Sequence, residues 1–208
     1  MTAVARPKPA FWTVERFRDF IETRPDEERW ELIDDVALMQ APPLATHQII
    51  ASNLENLLND ALEVSDPSRM AVQRLGLDLT PEIDTYQPEP DVVVIDAPIE
   101  LELRYIRRFY LVAEIVSESD RAPLPKGGRT RLGAKLDIYK THEPCLAVLA
   151  IEQSRIGVRV DTRTEAGWVG TTLRSADDRL TLPAFGFECA LGDLYRRTAL
   201  AVGVRRSR

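Results

Sequence analysis

Histidine and cysteine are scarce in this chain. Its 208 residues hold two of each, His47 and His142, Cys145 and Cys189. Neither cysteine belongs to a CxxC pair, which argues against a structural zinc site of the Cys/His type. Reduced thiols of a cytoplasmic protein are the simplest reading. No GxSxG elbow occurs and no Cys-His pairing is suggested by position, so nucleophilic hydrolase chemistry has no foothold. The GxxxxGK[ST] phosphate loop is absent too, and KGG at 126–128 reads as a flexible loop. The opening MTAVARPKPAFW lacks the continuous apolar stretch of a signal peptide, and no run is long enough to cross a bilayer.

A basic balance is also lacking. Lys and Arg total 27 against 33 Asp and Glu, a formal net charge of -6, with a pI near 5.1. That argues against a sequence-blind coat protein for nucleic acid, because phosphate binding draws on a basic surface. Local clusters remain: Arg104, Arg107 and Arg108; Arg121, Lys126, Arg129 and Arg131; and Arg205, Arg206 and Arg208. Each reads first as a solvated charged face.

What is present suits one soluble domain. Hydrophobic residues make up 44% and charged residues 29% of a 23.5 kDa chain, enough for a substantial core. No repeat or low-complexity linker divides it. The expected organisation is a helical lead over 1–29, a core over 30–195 and a basic tail over 196–208.

Thr13 can cap a helix in which Val14, Phe17, Phe20 and Ile21 recur at helical spacing. WELIDDVALM (30–39) reads as a hairpin turning at Asp34-Asp35, which places Glu31 in a strand. After Pro42 and Pro43, Thr46 is a plausible cap for a helix with the apolar stripe Ile50, Leu54, Leu57, Leu58 and Ala61. Leu75, Leu77 and Leu79 alternate with polar residues or glycine, as in a strand with one wet face. DVVVI (91–95) and FYLVAEIV (109–116) are near-continuous apolar runs, as strands buried on both faces require. The stretch DAPIELELRYIRR between them has no firm assignment. A helix is expected over 129–140 with Leu132, Leu136 and Tyr139 on one side. CLAVLAIE (145–152) is another buried strand, and RIGVRVD, GWVGTTLRS and RLTLP look like a strand meander. The fold class is therefore α/β or α+β, strands in a sheet with helices layered on it.

Two acids stand where acids are expensive. Asp91 sits at the mouth of an apolar strand in PEPDVVVID (88–96), and Glu114 lies inside another in LVAEIVSES (111–119). Alone, Asp91 would be a turn aspartate and Glu114 half of a buried ion pair. On neighbouring strands they could share one hard cation such as Mg2+, with the backbone carbonyl of Ile115 as a further oxygen ligand. If the 129–140 helix packs back across the sheet, Lys135 joins them. Two acids and a lysine suit metal-dependent phosphodiester cleavage, in which a cation binds a phosphate oxygen and activates water while the lysine offsets developing charge. His47, near a helix start, reads as a capping or packing residue rather than a general base.

WELIDD, THQII, PEPDVVVID, LVAEIVSES and KLDIY, in that order, resemble the landmarks of the Uma-two family, described as restriction endonucleases of the PD-(D/E)xK superfamily. LPAFGFECALGDLY (182–195) resembles the family's closing segment. The resemblance implies a restriction-endonuclease-like fold, a mixed central sheet flanked by helices with an added strand meander. It implies that Asp91 and Glu114 bind Mg2+, with Mn2+ as a substitute, that Lys135 assists the attacking water, and that Glu31 supports the site, touching the metal through water. The partner implied is DNA, and a two-stranded cut favours a homodimer. The alternative is a nucleic-acid-binding or regulatory module that keeps the fold without turnover. The sequence departs from the pattern in places. Val116 stands where the superfamily's lysine usually stands, and Arg131 replaces a common aspartate four residues before Lys135. The stretch holding RAPLPKGG is longer than usual, and THEPCLAV lacks an aromatic pair.

Overall fold

The computed structural model describes residues 11–100, 103–125 and 127–204. The basic residues Lys126, Arg205, Arg206 and Arg208 lie outside the described residues. Helix α1 (Val14–Ile21) begins where the Thr13 hydroxyl accepts from the Arg16 amide at 3.3 Å. It buries Val14 and Phe17 against Leu32, with Trp12, Phe20 and Trp30 packed edge to face around them. Strands β1 (Trp30–Ile33) and β2 (Val36–Met39) form the hairpin. Asp34 and Asp35 take φ of 52° and 56°, the left-handed pair that a two-residue hairpin loop matched to strand twist requires. Short polar side chains tolerate that backbone better than most.

Helix α2 (Ala45–Ser65) buries Ile50, Ala51, Leu54, Leu58 and Leu62, with Leu57 and Ala61 half-buried beside them. Thr46 is not its cap. The cap lies two residues earlier, at extended Leu44, without a side-chain capping bond. Strand β3 (Arg69–Gln73) follows, and β4 is only Gly76–Leu77. The strand expected along Leu75, Leu77 and Leu79 is only two residues long: Arg74, at φ 58°, turns the backbone before it, and the Asp78 carboxylate accepts from the Thr80 amide at 3.1 Å just after it. Nor does its polar side face water: Asp78 is buried, accepting from Thr80 and paired with Arg18 and Arg107.

Strands β5 (Val92–Asp96), β6 (Tyr105–Ile106) and β7 (Leu111–Val116) lead to helix α3 (Arg131–Thr141). Strands β8 (Ala147–Glu152), β9 (Val158–Thr164) and β10 (Gly167–Leu173) come next, then β11 (Arg179–Leu182), β12 (Phe187–Ala190), α4 (Leu191–Leu194) and α5 (Ala199–Val204). The unassigned stretch before β7 supplies β6, which pairs in parallel with β4. The central sheet has six strands in the order β10-β9-β8-β7-β5-β3, with β7 and β8 parallel and the other neighbours antiparallel. A parallel pair needs a crossover, and α3 lies within it. The meander ends at β10, since β11 leaves the sheet to pair with β12.

Alternation along the strands divides the core. Val92, Val94, Leu111, Ala113 and Ile115 face α2 and the β11-β12 hairpin. Val93, Ile95 and Val112 face α3 and the first hairpin. Glu114, two residues beyond Val112, falls on the α3 side by the same period. The two cysteines are buried free thiols, each pushed up to about 12 by burial. Among the described residues no helix is long and apolar enough to cross a membrane.

Candidate active site

The site assembles from four elements that touch at the carboxyl end of β7. Strand β7 runs between β5 and β8, so Glu114 is only 4% exposed. Its Oε1 accepts from the Tyr139 hydroxyl at 2.6 Å and its Oε2 from Lys135 Nζ at 3.0 Å. Lys135 and Tyr139 are four residues apart on α3, hence one above the other on one face. That face buries Ala134, Lys135, Ile138 and Tyr139. The expected face was Leu132, Leu136 and Tyr139. The two leucines are only half-buried, because the polar pair occupies the direction toward the sheet.

Strand β1 delivers Glu31, also buried, whose Oε1 accepts from Lys135 Nζ at 2.8 Å and from the Glu89 amide at 3.1 Å. Asp91 lies at the start of β5. Val92 is the register partner of Ala113, so the next step of the antiparallel ladder sets Asp91 beside Glu114. Its Oδ2 accepts from the Ile115 amide at 2.7 Å, and its Oδ1 lies 2.8 Å from His47 Nε2. The structure thus brings Glu31, Asp91, Glu114 and Lys135 together, with the backbone of Ile115 against Asp91.

These groups floor a cleft of about 350 Å³. Six carboxylates line it, from Glu31, Glu89, Asp91, Glu114, Glu118 and Asp120, against three cations, Arg74, Arg131 and Lys135. Such an excess of hard oxygen donors repels a phosphate unless further positive charge enters. Among the described residues no three His, Cys, Asp or Glu side chains form a ready-made metal cluster. A cation here would take two carboxylates and complete its shell with backbone oxygen and solvent.

The model of a family described as "Putative restriction endonuclease", Uma2, matches residues 14–192. The chain belongs to the Uma2 family. Among solved structures, a "putative nuclease belonging to DUF820" from Anabaena variabilis superposes with a TM-score of 0.66 at 16% identity. The match covers 88% of this chain and 97% of that one, and at that identity it shows the fold. No curated protein matches the chain by sequence. Family and fold together mark a restriction-endonuclease-like nuclease.

The charges at this Uma2 site are unevenly balanced. Burial raises the Glu114 carboxyl well above the usual range; Lys135 opposes the shift, and Asp91 and Glu31 add to it. Burial works against the Lys135 ammonium, yet Glu114, Glu31 and Asp91 outweigh it and raise its pKa. The two directions are compatible, since one ammonium cannot neutralise three carboxylates. Lys135 keeps its proton, and burial together with the surplus negative charge makes Glu114 a weaker acid than a free carboxyl. Burial, then Glu114 and Glu31, raises the Tyr139 phenol too, so it remains a donor.

Two residues at the site carried little weight in the sequence. His47 caps nothing. It stands three residues before Ile50 and seven before Leu54, on the buried stripe of α2, and that spacing was the available signal. Tyr139 looked like a core aromatic, although its four-residue offset from Lys135 set both on one face.

Proposed function

We propose that the cleft hydrolyses DNA phosphodiester bonds with a divalent cation, Mg2+ or in its place Mn2+, held by Asp91, Glu114 and the carbonyl of Ile115. The observation that carries this reading is the convergence of Asp91, Glu114 and Lys135, from two strands and a helix, on one carboxylate-rich cleft. Oxygen donors on adjacent strands and a local surplus of negative charge fit a hard divalent ion. When bound, such an ion supplies Lewis acidity toward the phosphate and makes water a competent nucleophile near neutral pH.

The chain's own groups do the rest. Lys135, fixed between Glu31 and Glu114, presents a permanent positive charge that orients the attacking water and offsets charge growing on the phosphate oxygens. Glu31 and Tyr139 act through Lys135 and Glu114 and are positioning residues. His47 and the Ile115 amide orient the two oxygens of Asp91. Because one such site addresses one strand, a two-stranded cut calls for a homodimer.

A second reading, a nucleic-acid-binding module without turnover, draws on one observation: Lys135 and Tyr139 already occupy both oxygens of Glu114. Both readings meet in one experiment. Cleavage of supercoiled, linear and single-stranded DNA is followed in Mg2+ and Mn2+ for the wild type, Asp91→Ala and Glu114→Ala, with DNA binding measured in the same samples. Cleavage by the wild type, abolished in both variants with binding kept, is expected. Cleavage unchanged in both variants, with Mn2+ binding to each also unchanged by electron paramagnetic resonance, would overturn the assignment. Metal-independent binding by the wild type without cleavage would establish the module.

A further inference from the structure

The three cations of the cleft are not equivalent. Arg74 lies 3.5 Å from Glu89, and Lys135 is held by Glu31 and Glu114. The guanidinium of Arg131 makes no hydrogen bond or ion pair with any described residue, although six carboxylates line the same cleft. Its Nε is buried and has no acceptor. A buried donor left unpaired costs about 1–3 kcal/mol, so the Arg131 Nε takes its acceptor from water or from a ligand that enters the cleft. A freely solvated surface arginine would show neither the buried Nε nor the place on the cleft wall.

Arg131 is the first residue of α3, behind the Thr130 cap, whose hydroxyl accepts from the Gly133 amide at 3.0 Å. It precedes Lys135 by four residues, which puts the two side chains on one helix face with origins about 6 Å apart along the axis. The positive end of the helix dipole adds to the charge of the guanidinium at that point. We infer that Arg131 binds a backbone phosphate of the nucleic-acid strand lying in the cleft, one helical turn from Lys135. The inference rests on the nuclease reading above and extends it to a substrate-binding group. The guanidinium fork matches two non-bridging phosphate oxygens, which an ammonium cannot do.

The test is duplex DNA binding by fluorescence anisotropy over a range of salt, with Ca2+ in place of Mg2+, for the wild type, Arg131→Gln and Arg131→Lys. Initial cleavage rates in Mg2+ are measured on the same preparations, and thermal melts establish that each is folded. Arg131→Gln is expected to weaken binding roughly tenfold at ~0.1 M salt. Its salt dependence should fall by about one counterion, with KM raised more than kcat is lowered. Arg131→Lys should recover the salt slope and part of the affinity. Wild-type binding with an unchanged slope in Arg131→Gln overturns this inference and leaves the nuclease reading standing. A wild type that neither binds nor cleaves DNA overturns both.

Discussion

Replacing Lys135 by methionine removes the ammonium that Glu31 and Glu114 share while keeping an unbranched stem of similar length. In the wild type that ammonium lies 2.8 Å from Glu31 and 2.9 Å from Glu114, and the residue is 4% exposed. Removing one partner of a buried ion pair costs about 3–5 kcal/mol, because the other is left uncompensated. That is a large part of the 5–15 kcal/mol typical of a whole domain. The loss should depend on pH. The Glu114 carboxyl is already raised by burial, and losing Lys135 removes the strongest influence that holds it down. An acid with a raised folded pKa contributes stability below its unfolded pKa, and that contribution is lost as pH rises through the folded value. Urea unfolding should therefore show a small deficit near pH 5 and most of the 3–5 kcal/mol near pH 8. Added Ca2+ should restore about 2.7 kcal/mol at one hundred times its Kd. A deficit equal at both pH values, or no rescue by Ca2+, would refute the reasoning.

Two further outcomes follow from other contacts. His47→Gln should weaken Mn2+ binding, read by electron paramagnetic resonance, by roughly tenfold, because Asp91 loses the ring that orients one of its oxygens; unchanged affinity would remove His47 from the site. Asp161 is buried between Lys140 at 2.7 Å and Arg159 at 2.8 Å. Burial tends to raise its carboxyl, but hydrogen bonds from Arg159 and Lys140 outweigh burial and lower it. A lowered carboxyl stabilises the fold above its unfolded pKa, and that gain is lost as pH falls through the folded pKa. Asp161→Asn should thus cost roughly 1–3 kcal/mol at pH 7, given the partial exposure of both cations, and the gap from wild type should close in strong acid. A gap that persists there would contradict the pairing.

The parts of the fold legible in the sequence were those where a local signal and the tertiary structure agree. Asp34-Asp35 marked the first hairpin because that turn needs left-handed backbone, and the stripe of α2 marked its buried face. Glu114 stood out as a charge inside an apolar run. Strand β3 did not stand out, since RMAVQ has no strong alternation and owes its extended form to pairing with β5. The buried face of α3 was misread for a related reason: its two inward polar residues, Lys135 and Tyr139, are tolerated only because Glu31 and Glu114 meet them from other strands. The Asp91–His47 contact spans 44 positions; the place of His47 on the α2 stripe shows that it turns inward, but not which residue it meets.

The most direct test of a metal-dependent nuclease centred on Asp91 and Glu114 is cleavage of supercoiled plasmid by the purified protein in Mg2+, with and without EDTA, beside Asp91→Asn. The amide retains an oxygen for the Ile115 amide and removes the charge. The account predicts nicked and linear DNA from the wild type in Mg2+, none with EDTA, and none from a folded Asp91→Asn that still binds DNA. Cleavage that survives EDTA, or that Asp91→Asn performs at the wild-type rate, would contradict it.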